Sequence, residues 1–95
     1  MTKDTRVHIF VSGKVQGVYY RQNTLQKAQE LNIFGWVRNL SDGRVESVME
    51  GSKVNIDKML TWCKEGPLDA KVEEVKIIDE AYKNEFLTFD IIKTL

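Results

Sequence analysis

The chain has 95 residues, of which 42% are apolar and 29% charged, the composition of an ordinary soluble globular domain. Lys and Arg together number 14, and so do Asp and Glu, which excludes the basic excess that a general nucleic-acid binder or a polybasic membrane-surface protein relies on. A single cysteine, Cys63, and a single histidine, His8, exclude an intrachain disulfide framework and all-cysteine metal centres, and leave a zinc site short of its usual ligands.

A chain of this length buries about 60–65% of its unfolded surface, enough for one modest core. Residues 1–95 therefore read as one domain. The start, Met1-Thr2-Lys3-Asp4-Thr5-Arg6, carries an acidic residue and leads only into the short stretch Val7 to Val11. A signal peptide needs about 7–15 apolar residues there, and a membrane span about 20. A cytoplasmic chain is the expectation.

The elements follow from their periods. Residues 6–12 alternate, with Val7, Ile9 and Val11 set against His8, Phe10 and Ser12, which predicts a strand ended by Gly13. A loop over residues 13–19 follows. Good helix formers then run from Tyr20 to Asn32, with Leu25, Ala28 and Leu31 as a narrow apolar stripe. Strands are expected over 34–40 and 43–50, joined at Asp42-Gly43, because the turn needs a positive φ that glycine tolerates. Trp36, Arg38 and Leu40 share one face of the first of these strands, Val37 and Asn39 the other. Ile56, Met59, Leu60 and Cys63 recur at helical spacing. Ser52 can cap that helix and Gly66-Pro67 stops it. The β-branched runs Val72–Ile78 and Phe86–Ile92 predict two further strands.

This order gives an α+β chain. The expected closure is a ferredoxin-like split βαβ sandwich: a mainly antiparallel four- to five-stranded sheet with two helices on one face. That fold hosts many functions and does not choose among them.

Gly13 to Arg21 is the informative stretch. Glycines there let backbone N–H groups converge, a helix N-terminus follows, and Arg21 falls in its first turn. Such an arrangement suits an anion. A cation in the first turn opposes the helix dipole unless an anion is bound beside it, and Tyr19 and Tyr20 are poor N-caps. The same residues also admit a plainer reading, in which Asn23 caps a helix starting at Thr24 and Arg21 is a surface arginine. Asn39 is similarly open. It is either a solvated residue near a strand end or an amide that can orient a water.

Val11-Ser12-Gly13-Lys14-Val15-Gln16-Gly17-Val18-Tyr19-Tyr20-Arg21 resembles the first signature of the acylphosphatase family. Gly35-Trp36-Val37-Arg38-Asn39, followed after three residues by Gly43-Arg44-Val45 and later by Gly51, resembles the second. The likeness covers residues 6–93, and Gly66-Pro67 with Ala70 and Val72 is similar to the smaller prokaryotic-type members. Tyr20 departs from the pattern, which usually has Phe or Met there. The resemblance implies hydrolysis of the carboxyl–phosphate bond of acyl phosphates, with no cofactor and no metal. It also implies Arg21 as the phosphate ligand, Asn39 as the residue that positions water, and Val15, Gln16, Gly17, Val18, Tyr19 and Tyr20 as the backbone cradle.

The chemistry closes with these groups. The departing carboxylate is the base of an acid with a pKa of about 4, so it needs no general acid. Phosphoryl transfer asks mainly for in-line positioning and charge stabilisation. His8, Cys63, Trp36, Phe34 and Trp62 read as structural, Lys14 as a solvated loop lysine. The expected partners are small acyl phosphates, with neither nucleic acid nor membrane, and the expected state is a monomer. The competing function is a non-catalytic phosphate-binding module on the same loop. An RNA-binding domain would need a basic-aromatic strand motif that the hairpin strands lack.

Overall fold

A computed structural model describes residues 4–95. Met1, Thr2 and Lys3, part of the stretch read above for a signal segment, lie outside the described residues. The chain runs β1 (Asp4–Lys14), α1 (Tyr20–Glu30), β2 (Phe34–Asn39), β3 (Val45–Ser52), α2 (Lys53–Glu65), β4 (Lys71–Glu80) and β5 (Phe89–Ile91). The five strands form one sheet in the order β4-β1-β3-β2-β5. Every pairing is antiparallel except that of β2 with β5. Helix α1 packs on β2 and β5, α2 on β3, β4 and β1. This is the expected α+β, ferredoxin-like sandwich. No helix among the described residues is long and apolar enough to cross a membrane.

The core lies between the helices and one sheet face. Val7, Ile9 and Val11 from β1, Val45 and Met49 from β3, and Val37 from β2 meet Ile56, Met59 and Cys63 from α2. Their alternation along the strands and helical spacing along α2 are what the sequence expresses. Ser52 Oγ accepts the Asn55 N–H and so caps α2.

Several boundaries differ from the sequence reading: β2 stops at Asn39, β3 starts at Val45 and β4 spans Lys71–Glu80, and four further differences have a physical reason. Strand β1 continues through Gly13 to Lys14, because Gly13 forms an irregularity against β4 instead of ending the strand. A Cβ at Gly13 would run into the Lys71 carbonyl oxygen, so only glycine allows β4 to come this close. Helix α1 ends at Glu30, and its buried face is Tyr20, Thr24 and Ala28, with Leu25 and Leu31 only partly buried. Thr24 is admitted to the core because its hydroxyl donates to the Tyr20 carbonyl at 2.7 Å. Strand β3 runs through Gly51 to Ser52. Strand β5 is confined to Phe89–Ile91, while Phe86 lies under the Arg6 guanidinium, 5.2 Å from it.

The other sheet face carries charge. Arg6 bonds Glu80 at 2.7 Å and Glu85 at 2.9 Å, with Glu50 at 3.4 Å. Glu50 also accepts the Lys83 and Glu85 N–H groups, which fastens the β4–β5 connection onto the sheet. Burial opposes the Glu50 carboxylate, but those two N–H groups and Arg6 outweigh it and hold its carboxyl below the usual range. His8 sits between Glu46, at 2.6 Å, and Glu80, at 3.1 Å.

Candidate active site

The loop from Val15 to Tyr19 is pinned at alternate points. Val15, Val18 and Tyr20 are buried, whereas Gly17 and Tyr19 face out. Gly17 has φ +74 and Tyr19 φ +62. Tyr19 is thus held in the left-handed region, a conformation that costs a side-chain-bearing residue about 1–2 kcal/mol. Such an outlier points to a backbone shaped for function.

Tyr19 is also the N-cap of α1, and it makes no side-chain cap bond. The first backbone bond there runs from the Asn23 N–H to the Tyr19 carbonyl. The N–H groups of residues 20–22 precede it and have no place in the helical ladder. Asn23 does not cap a helix beginning at Thr24: it lies inside α1, and its amide donates to the Tyr19 carbonyl. The first turn contains no acidic residue.

Arg21 stands in that turn. The sequence holds four arginines. Arg6, Arg38 and Arg44 each engage a carboxylate, and Arg21 engages none among the described residues. A cavity of about 230 Å³ opens here, lined by Val15, Gly17, Tyr19, Tyr20, Arg21 and Gln22. Two larger clefts, about 410 and 530 Å³, suit an anion poorly. The first has no basic lining residue; the second contains Arg6, already held by carboxylates, and Lys53 paired with Asp57.

Asn39 ends β2 and is not part of the cavity lining. Its side-chain Oδ1 is buried with no hydrogen-bond partner, an arrangement that costs free energy unless a donor arrives. Its backbone carbonyl accepts the Leu95 N–H at 3.1 Å. The loop and the strand end are joined by Gln16, whose Nε2 donates to the Leu40 carbonyl at 2.8 Å and the Arg44 carbonyl at 3.0 Å. Sequence reasoning took Gln16 only as backbone. It also gave no weight to the Tyr20 hydroxyl, which reaches the Cys63 carbonyl; the signal was there in Pro67, four residues beyond Cys63.

Among the described residues no three His, Cys, Asp or Glu side chains gather as a metal site requires. Arg38 bonds Glu46 at 2.7 Å, on the face opposite Asn39. Lys14 is exposed and Cys63 is in the core.

The family model described as Acylphosphatase matches residues 7–91. The chain belongs to the acylphosphatase family. It is 54% identical over 88% of its length to an acylphosphatase of Marinobacter nauticus, covering 91% of that protein. It is 46% identical to an acylphosphatase of Pyrobaculum islandicum, covering 98% of this chain and 99% of that one. Among solved structures, an acylphosphatase from Coxiella burnetii superposes with a TM-score of 0.89 at 39% identity, covering 94% of this chain and 93% of the other. The activity is that of the family: this acylphosphatase hydrolyses the carboxyl–phosphate bond of acyl phosphates.

Proposed function

We propose that the substrate phosphate is bound by the backbone N–H groups of Val15–Tyr20 together with Arg21, and that Asn39 holds the attacking water. The observation that carries this reading is Arg21, an arginine without a carboxylate partner at a helix start without a cap. A phosphate there satisfies the free N–H groups, reverses the unfavourable cation–dipole contact and receives the planar guanidinium side on.

The steps follow from charge. As the bond to the acyl oxygen lengthens, negative charge spreads over the equatorial oxygens, where Arg21 and the N–H groups face it. The carboxylate leaves unprotonated. Water attacks from the opposite side, positioned by the Asn39 side-chain amide. The amide is too weak a base to take the proton, so a phosphate oxygen of the substrate accepts it. The positive charge comes from the chain itself, and no step is routed through a metal.

Residues 1–95 act in this reading as one domain, a cytoplasmic monomer working on small acyl phosphates and not on nucleic acid or membranes. The balanced charge and the lone cysteine support it. The test is hydrolysis of benzoyl phosphate with a chelator present. Activity is expected to survive chelation and to fall by at least about 10²-fold in folded Arg21→Ala and Asn39→Ala. Activity that vanishes with chelation, or persists in both variants, would overturn it.

A further inference from the structure

We propose that the Gln16 side chain is a positioning residue that sets the spacing between the phosphate cradle and Asn39. The proposal rests on the roles given above to Arg21 and Asn39.

Gln16 lies in the cradle, between the buried Val15 and the left-handed Gly17, but its side chain turns away to the β2–β3 hairpin. Both of its contacts are carbonyl oxygens. Only the amide nitrogen can satisfy two acceptors, so the orientation of the amide is fixed by chemistry and both Nε2 hydrogens are used. The two carbonyls are those that close the hairpin. Arg44 C=O accepts the Leu40 N–H at 2.8 Å, and Leu40 C=O accepts the Gly43 N–H at 3.2 Å. Gln16 takes the second lone pair of each.

The clamp therefore grips the hairpin one residue beyond Asn39, while its own backbone belongs to the loop that holds phosphate. One end of the reaction line is set by the loop and the other by Asn39. In-line attack needs both in register, and a misplacement of about 1 Å costs about 10²-fold in rate. Gln16 supplies two hydrogen bonds that join the segments carrying Arg21 and Asn39.

Two variants test this. Gln16→Met keeps the length and removes both donors; Gln16→Glu keeps the shape and turns a carboxylate towards two carbonyls. The readouts are kcat for benzoyl phosphate, competitive inhibition by inorganic phosphate, and thermal midpoint, with Arg21→Ala in parallel. The expected result is a fall in kcat of about 10- to 10²-fold, greater for Gln16→Glu, with the phosphate inhibition constant within about twofold of the unaltered chain. Should Gln16→Glu fail to fold, Gln16→Met alone decides. A lowered midpoint with unchanged kcat in Gln16→Met overturns the positioning role. So does loss of phosphate inhibition in step with kcat, since Gln16 would then act through the cradle itself. Arg21→Ala separates the two levels: if it still binds phosphate, the cradle reading falls and this proposal with it. If it does not, an unchanged Gln16→Met overturns the spacing role alone.

Discussion

The Tyr20 hydroxyl donates to the Cys63 carbonyl at 2.7 Å, joining the first turn of α1 to the last turn of α2. In a continuing helix that carbonyl would accept the N–H four residues on, but that residue is Pro67, which has none. The Gly66 N–H does not help, because it closes on Trp62. Tyr20 fills the vacancy from another helix, and burial pushes its phenol far above the ordinary range.

Tyr20→Phe keeps the ring against Trp62 and Gly66 and leaves a buried carbonyl without a donor. The expected loss is about 1–3 kcal/mol, read as a midpoint lower by about 4–8 °C per kcal/mol in a domain of this size. An unchanged midpoint would show that water replaces the hydroxyl.

Acid should unfold the protein through its sheet-face carboxylates. Arg6 is the main cause holding the Glu80 carboxyl below its ordinary range, and Glu50 is held low against its own burial by two N–H groups and Arg6. Both folded values lie below the unfolded ones. The stability they contribute is therefore complete above about pH 4.5 and is lost as pH falls through the folded values. Thermal midpoints should be flat from about pH 7 to 5 and drop below that. Glu50→Gln should lower the midpoint at neutral pH and flatten the acid limb; an acid limb as steep as before would sink the assignment.

Cys63 should be inert. Burial pushes its thiol up to about 12, and it has no exposed surface. A thiol reagent at pH 8 should label it only at the rate at which the protein opens, and at once in denaturant. Rapid labelling of the folded protein would contradict the packing described.

Gly13→Ala should be costly, because a Cβ would meet the Lys71 carbonyl oxygen and the backbone conformation is left-handed. We expect a loss of about 1–3 kcal/mol, measured by urea unfolding, with the parting of β4 from β1 visible as faster amide exchange at Val72 and Glu74.

Much of this was legible in the chain. The spacing of Ile56, Met59, Leu60 and Cys63, the Ser52 cap and the Gly66-Pro67 stop are local, and α2 follows them. The hairpin likewise follows from residues within a few positions of Gly43. The resemblance of the Gly13–Arg21 stretch to a known signature singled out Arg21. What escaped depends on pairing across long separations. Arg6 finds Glu80 only because β1 lies against β4, and Glu50 only because it lies against β3. Thr24 was passed over for Leu25 and Leu31 because a self-satisfied hydroxyl gives no sign in a hydropathy pattern. The reach of Gln16 to Leu40 and Arg44 is invisible for the same reason: it crosses more than twenty residues and leaves no periodicity.

The position of β1 between β3 and β4 has a consequence for how the molecule comes into being. Every residue assigned to the chemistry lies between Val15 and Asn39, yet one side of β1 stays unpaired until Lys71–Glu80 arrive. A chain emerging from the ribosome would hold the whole reactive apparatus long before the strand that steadies it. The strand that completes the pairing of β1 brings permanence to an arrangement whose proposed reactive groups all precede it in the chain.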